Sequence, residues 1–413
     1  MNFKTVSVIG LGYIGLPTAA ILASRGVNVI GVDISTEAVN TINSGGVHIV
    51  EPDLDIVVKA AVTTGKLRAT TEPEPAEAFL IAVPTPFKVG NNEPDLSYIK
   101  EAIKSIAPAL SKENLVILES TSPVGTTEKV ACWLKEYRPD LTTPLDKGEE
   151  ADIKIAHCPE RVMPGSVLQE LVTNDRVVGG LSAECSRKAV ELYKIFVKGE
   201  CITTKSRTAE MAKLTENAFR DVNIAFANEL SVICEKLKIN VWELIRLSNR
   251  HPRVNVLSPG PGVGGHCIAV DPWFIVSSCP EEAKLIQQAR KVNDRKPYHV
   301  IDKVIKSADQ YKKPVLAFLG LTFKADIDDL RESPSMRIVE EVSEMGIGEV
   351  LVVEPNITSL PESLASKGLE LLPVVPALER ANIIVLLVDH KEFLSIERRL
   401  LSEKVVIDTK GIF

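Results

Sequence analysis

Four clusters in the 413-residue chain hold residue types able to do chemistry. The first is Gly10-Leu11-Gly12-Tyr13-Ile14-Gly15, three glycines at the spacing of a turn that cradles a pyrophosphate. It follows an apolar run and precedes a helical pattern. Asp33 answers it 18 residues beyond Gly15, at the end of the next apolar run. In that context Gly10 permits the tight turn, Gly12 lets a ligand reach the backbone, and Gly15 lets helix and strand pack closely. The positive end of the helix then faces the phosphates. Asp33 can accept bonds from ribose hydroxyls and would repel a 2′-phosphate. Neither Ile34 nor Ser35 supplies a cation, so the pattern predicts NAD rather than NADP.

The second cluster is Pro259-Gly260-Pro261-Gly262-Val263-Gly264-Gly265-His266-Cys267, preceded by His251-Pro252-Arg253 and followed by Asp271-Pro272. A thiol in such a loop is not placed as an apolar core group. Near an ammonium such as Lys213 its pKa would fall and a nucleophilic thiolate would form. The third cluster, Lys213, Asn217 and Arg220, lies at i, i+4 and i+7, one face of a helix. Such a stripe serves either a solvated surface or an anionic or polyhydroxyl ligand. The fourth joins Phe323-Lys324-Ala325-Asp326 to Arg331-Glu332-Ser333-Pro334-Ser335. Ser333 and Pro334 read as the N-cap and first residue of a helix, with two cations just ahead of it. His266 and Cys267 have no second ligand pair at metal spacing, so no metal site is expected.

Alternation of apolar and helical segments sets where these clusters fall. Residues 6–9, 29–32, 79–83, 115–119 and 153–157 read as strands, and 17–25 as a helix, which predicts a parallel sheet covered on both faces. Pro84-Thr85-Pro86, Ser120-Thr121-Ser122-Pro123 and Cys158-Pro159-Glu160-Arg161 then follow strand ends, the edge where open α/β sheets bind ligands. Residues 203–238 contain no Gly or Pro and read as one long helix that bridges domains and carries an oligomer interface. Strand patterns return at 315–319, 350–353, 383–388 and 405–407 without the glycine fingerprint. Residues 139–150 read as a surface loop. The expected class is α/β, with two doubly wound Rossmann-like domains, 1–200 and 313–413, joined by a long central helix and a helical middle domain, 201–312.

Composition excludes several classes. Hydrophobic residues at 45% and charged residues at 25% rule out collagenous, coiled-coil and disordered chains. A net charge of −7 gives no global basic field for nucleic acid. Seven cysteines with no C-x-x-C pair argue against a disulfide framework and for a reducing cytoplasm. Residues 6–24 carry no charge, but Gly10, Gly12, Gly15 and Pro17 interrupt them, and no charged leader precedes them. Neither a membrane span nor a secretory signal is expected.

The motifs, in order, resemble those of the UDP-glucose/GDP-mannose dehydrogenases, the NAD-dependent nucleotide-sugar 6-dehydrogenases. The resemblance covers essentially the whole chain. It rests on the glycine fingerprint with Leu16-Pro17, and on Glu119-Ser120-Thr121-Ser122-Pro123-Val124-Gly125-Thr126. It rests also on Pro159-Glu160-Arg161, on Ala209-Glu210-Met211-Ala212-Lys213 with Asn217, on Gly264-Gly265-His266-Cys267, and on Arg331-Glu332-Ser333-Pro334. It implies a twofold oxidation of a sugar C6 alcohol through a thiohemiacetal and a thioester on Cys267. Lys213 is then the general acid/base and Asn217 a hydrogen-bond donor to the oxyanion. Asp271 and Glu160 assist proton transfer and hydrolysis, and Thr121 places water. The resemblance assigns Tyr13, Ile14, Asp33, Thr85 and Thr126 to NAD, with Arg331 approaching the cofactor. Arg161, Val162, Arg220, His251, Arg253 and Gly264 fall to the substrate, with Phe323, Lys324 and Lys410 holding its UDP part. The loop that follows Gly264 departs from the glucose-type pattern, with Val270 where that pattern has Lys. It resembles the N-acetylmannosamine branch of the family and implies a UDP-N-acetylhexosamine substrate for surface polysaccharide biosynthesis, the N-acetylglucosamine epimer being the alternative. A homodimer is expected, with no nucleic-acid or membrane partner. A nucleotide sensor without turnover would need neither Cys267 nor Lys213. A single-hydride hydroxyacid-type dehydrogenase would lack the Gly-Gly-His-Cys loop.

Overall fold

The structure, a computed structural model, describes residues 3–88, 91–163, 165–265 and 267–413. Packing divides the chain into two compact units, Met1–Glu216 with Trp273–Ser278, and Asn217–Pro272 with Cys279–Phe413.

The first unit is built on eight strands: β1 (Thr5–Ile9), β2 (Asn28–Val32), β3 (Leu67–Thr70), β4 (Ala78–Ile81), β5 (Leu115–Leu118), β6 (Lys154–His157), β7 (Arg176–Gly180) and β8 (Cys201–Lys205). Their order is β3-β2-β1-β4-β5-β6-β7-β8. Strand polarity is parallel except between β6 and β7. Side chains alternate between two cores. Val6, Val8, Ala78 and Leu80 face the helix Gly15–Ser24. Ile9, Phe79 and Ile81 face the helices Ser97–Ile106 and Thr126–Tyr137. Strands buried on both faces must be apolar throughout, which is why β4 and β5 read Ala-Phe-Leu-Ile and Leu-Val-Ile-Leu. Chain order reverses between β1 and β4, and a crevice for ligands opens at such a point.

Three strands escape the sequence pattern. β3 and β8 are the sheet's edges and carry exposed polar residues, so they lack an apolar run. β7 runs antiparallel to β6 and ends in two glycines. The long helix starts at Ser206 rather than 203, because the β-branched Ile202, Thr203 and Thr204 complete β8. It runs 32 residues to Leu237, about 48 Å. Residues 139–150 are not simply a loop. Thr143 and Asp146 form a capping box over the short helix Pro144–Lys147, and a 3₁₀ turn follows.

The second unit carries β9 (Val315–Leu319), β10 (Glu349–Val353), β11 (Ile383–Leu386) and β12 (Val405–Asp408), ordered β10-β9-β11-β12 and all parallel. The helix Lys284–Ala308 lays Val300, Ile301 and Val304 on this sheet. A buried polar seam ties the same helix to the long one. Arg290 pairs with Asp221 at 2.6 Å, and Asn293 donates to Asp221 at 2.8 Å and accepts from Asn228 at 2.9 Å. Among the described residues no helix is long and apolar enough to cross a membrane.

Candidate active site

The glycine fingerprint lies between β1 and the helix Gly15–Ser24, at the switch point of the first sheet. Gly10 has φ +89°, and a Cβ there would lie 2.8 Å from the Ala82 carbonyl oxygen. A Cβ on Gly15 would fall 1.8 Å from the Gly10 carbonyl oxygen. Gly12 differs: a Cβ there would meet nothing within 4 Å. Asp33 is aimed from two sides, accepting the amide of Leu11 in the fingerprint turn and that of Ser35 in its own loop, each at 2.9 Å. Tyr13 and Ile14 are half-buried beside it, and no side chain caps the helix at Ile14. Open backbone at Gly12, an uncapped helix start and a fixed carboxylate fit a dinucleotide.

Neighbouring strand ends converge on the same edge. Thr85 donates to the Thr121 carbonyl at 2.6 Å, so two of the predicted positions touch. Thr126 is buried and its hydroxyl is bound to the Pro123 carbonyl at 2.6 Å. Glu210, from the long helix, accepts the amides of Gly125 and Thr127 at 2.6 and 2.7 Å, tying that helix to the start of Thr126–Tyr137. Lys213 lies one turn further along and is half-buried.

Glu160 heads a buried network. One carboxylate oxygen accepts the Arg161 amide at 2.6 Å, and the other pairs with the buried Arg176 guanidinium. Arg176 lies over the Tyr193 ring, 5.5 Å from its centre, and Tyr193 donates to Glu119 at 2.7 Å. Burial, with the Glu160 charge, pushes the Glu119 carboxyl up to about 7 against the Tyr193 bond and Arg176. Burial also pushes the Cys158 thiol up to about 12, which leaves it inert. Arg161 pairs with Glu216 at 2.8 Å, and Val162 packs against the first core.

In the second unit Cys267 is exposed. Its carbonyl accepts the Asp271 amide at 2.9 Å, and the Asp271 carboxylate accepts Asn217 Nδ2 at 2.5 Å. Both side chains are buried. His266 lies outside the described residues. The glycines ahead of it make room for the protein itself. A Cβ on Gly264 would lie 2.5 Å from the Glu332 carbonyl oxygen and 2.8 Å from Phe323 Cβ. One on Gly265, where φ is +81°, would lie 2.9 Å from the Phe323 ring. Phe323, Lys324 and Lys410 line a cavity of about 140 Å³ with the 258–262 loop. Lys410 also pairs with Asp389 at 2.9 Å. Arg331 is held by Asp329 at 2.6 Å, and Ser333 caps its helix by accepting the Met336 amide at 3.3 Å. Arg220, His251 and Arg253 are exposed.

Several residues were given no role by the sequence. Ile224 and Ser258 line the cavity, as does Ser335, which the sequence placed only at a helix start, and Glu119, quoted there only within a motif, stands with Arg176 and Tyr193 behind Glu160. The available signal was a charge set directly against a strand: Glu119 follows β5 and Arg176 opens β7.

A fingerprinted nucleotide sheet, a second α/β unit with a cationic cavity, and an exposed loop thiol define a nucleotide-dependent dehydrogenase. Known proteins agree. Three models of the UDP-glucose/GDP-mannose dehydrogenase family match: the NAD-binding domain at residues 4–197, the central domain at 207–295 and the UDP-binding domain at 317–413. An NDP-N-acetyl-D-galactosaminuronic acid dehydrogenase of Ralstonia nicotianae is 62% identical over 100% of this chain and 97% of its own. A UDP-N-acetyl-D-mannosamine dehydrogenase of Escherichia coli is 60% identical over 100% of both. Among solved structures, a UDP-D-ManNAc dehydrogenase of Pyrococcus horikoshii is 38% identical with a TM-score of 0.89, covering 99% of this chain and 96% of its own. The chain belongs to the UDP-glucose/GDP-mannose dehydrogenase family, and it is an NAD-dependent nucleotide-sugar dehydrogenase.

Proposed function

We propose that the protein oxidises UDP-N-acetyl-D-mannosamine at C6, twice, to the uronate for surface polysaccharide biosynthesis in the cytoplasm. The observation that carries this reading is the exposed Cys267, whose loop is pinned by the Asp271 amide while Asn217 holds the Asp271 carboxylate. When bound, NAD supplies the hydride acceptor for each oxidation. Lys213 takes the C6 hydroxyl proton in the first. The Cys267 sulfur then bonds to the aldehyde carbon, and the carbonyl oxygen gains a proton. Lys213 and Asn217 stabilise the negative charge that develops on that oxygen before the proton arrives. In the second oxidation Lys213 takes the hydroxyl proton of the thiohemiacetal as its hydride leaves, and a thioester results. Water placed by Thr121, with Glu160 or Asp271 taking its proton, breaks the C–S bond and restores the thiol.

Residues 1–200 serve NAD through Gly10, Gly12, Tyr13, Ile14, Gly15, Asp33, Thr85 and Thr126, with Arg331 approaching the cofactor from elsewhere in the chain. Residues 313–413 serve UDP through Phe323, Lys324 and Lys410. Residues 201–312 carry Lys213, Asn217, Cys267 and Asp271, and the substrate contacts Arg220, His251, Arg253 and Gly264. Arg161 and Val162 complete the substrate set. Incubating the protein with UDP-N-acetyl-mannosamine, -glucosamine and -galactosamine while following NADH absorbance tests the reading. The first should turn over fastest, with acid as product. A galacto substrate is the second reading, because the Ralstonia relative carries that name. Faster turnover of the galacto or gluco sugar removes the manno assignment.

A further inference from the structure

The second sheet holds a wholly buried histidine–carboxylate pair that the chemistry above does not use. Glu354 follows β10 and His390 follows β11; both side chains are 0% exposed and meet at 3.0 Å, Nε2 to carboxylate. Two N–H groups converge on the other ring nitrogen. The Asp326 amide reaches Nδ1 at 2.9 Å and Asn356 Nδ2 reaches it at 3.0 Å. Nδ1 is therefore an acceptor, and the ring hydrogen sits on Nε2, directed at Glu354. The same carboxylate oxygen accepts the amides of Leu321 and Thr322 at 2.8 and 3.2 Å. Glu354's other oxygen takes the Asn356 amide at 3.0 Å. Burial alone would push the Glu354 carboxyl up, but the bonds from His390 and Leu321 hold it below the usual range.

Both ends of the segment 321–326 thus terminate on one pair, the Leu321 and Thr322 amides on Glu354 and the Asp326 amide on His390. Inside, Thr322 Oγ1 donates to the Lys324 carbonyl at 2.8 Å. Between the tied ends lie Phe323 and Lys324, which line the cavity, and Phe323 is the surface on which Gly264 and Gly265 rest, two residues before Cys267. An apolar pair of the same volume would leave four backbone amides, those of Leu321, Thr322, Asp326 and Asn356, without acceptors, which is costly in a buried site. A bonded pair here secures one conformation rather than net stability.

We propose that His390 and Glu354 are positioning residues that hold segment 321–326 in the conformation that binds the nucleotide of the substrate. This rests on the nucleotide-sugar reading above. The closing experiment compares wild type with His390→Leu, His390→Asn and Asn356→Ser. It measures UDP and NAD affinity by calorimetry, steady-state KM and kcat, and hydrogen exchange of the 321–326 amides. His390→Leu should weaken UDP and raise the UDP-sugar KM about tenfold or more, the loss of a buried bond to a group left without a partner. NAD affinity should stay within about twofold, kcat at saturation should fall far less than KM rises, and Leu321, Thr322 and Asp326 should exchange faster. His390→Asn places its side-chain oxygen near the Nδ1 position and should recover most of the lost affinity. Unchanged UDP affinity in folded His390→Leu, or equal losses for UDP and NAD, overturns the proposal. Should His390→Leu fail to fold, Asn356→Ser decides. Faster exchange at Asp326 with about threefold weaker UDP supports the pair, and wild-type values overturn it. Wild type that binds no UDP-sugar refutes the nucleotide-sugar reading instead.

Discussion

Cysteine chemistry at this site is decided by environment. Cys158, Cys185 and Cys234 are buried, and Cys158 is held neutral by that burial. Cys267 is exposed, in a loop tied to Asp271. Oxidising an alcohol once needs only a base, but oxidising an aldehyde again requires an adduct that can give up a second hydride. Wild type should therefore form two NADH per sugar without releasing aldehyde. Cys267→Ala should lose overall turnover by about a thousandfold or more while still binding NAD. Mass spectrometry of quenched enzyme should find the acyl adduct on residue 267; one NADH per product would remove the covalent route. Glu119 gives a second test. Its folded carboxyl titrates near 7, above the ordinary value of 4.5, so the folded state holds the proton more tightly than the unfolded one. The contribution is fully present below about pH 4.5 and lost as pH rises through about 7, about 3 kcal/mol in all. Glu119→Gln, which still accepts the Tyr193 hydroxyl, should flatten this slope in urea unfolding at pH 5 and pH 8. An unchanged slope would sink the assignment. Cys267 was legible because glycines flag its loop locally. Glu119 was visible as part of a motif, but its role was not, because Tyr193 and Arg176 stand 74 and 57 residues away in sequence, and only folding brings them together.

At the scale of elements, the fingerprint's three glycines separate into two physical kinds. Gly10 and Gly15 are excluded from carrying side chains by the protein's own backbone, whereas Gly12 faces open space. Gly15→Ala should destabilise the first unit by about 1–3 kcal/mol or more through overpacking. Gly12→Ala should melt like wild type yet bind NAD more weakly, because the added methyl occupies the space a pyrophosphate needs. Calorimetry with and without NAD separates the two; a Gly12→Ala protein with normal NAD affinity would remove the cradle. This part of the fold was readable because β1, β2, β4 and β5 are apolar runs, buried on both faces. Edge strands are not, since β3 alternates with solvent and β8 has no buried residue, so both look like loop. The second sheet was equally visible, but the use of its Gly264–Gly265 turn was not. Sequence shows that those residues lack side chains, and only the structure shows Phe323 in the space.

At the scale of the whole molecule, the long helix presents an unexplained surface. Phe219, Phe226, Ile233 and Leu237 are all exposed. Their spacings of seven, seven and four place them within about 40° of one another around the helix. A monomer gains nothing from a continuous apolar stripe in water, and such a stripe is the ordinary mark of a covered face. A second copy of the same helix is the simplest cover, because a two-fold axis across it lets each Phe meet apolar partners without any new sequence. The homodimer expected from the long helix thus acquires particular residues. Phe226→Asp combined with Ile233→Asp should yield a folded monomer in sedimentation analysis at micromolar concentration, because two buried charges without partners would face each other at the seam. Its far-ultraviolet circular dichroism should match wild type, since both side chains point away from the packed cores. A dimer that survives both substitutions, or a wild type that sediments as a monomer, would move the interface off this helix.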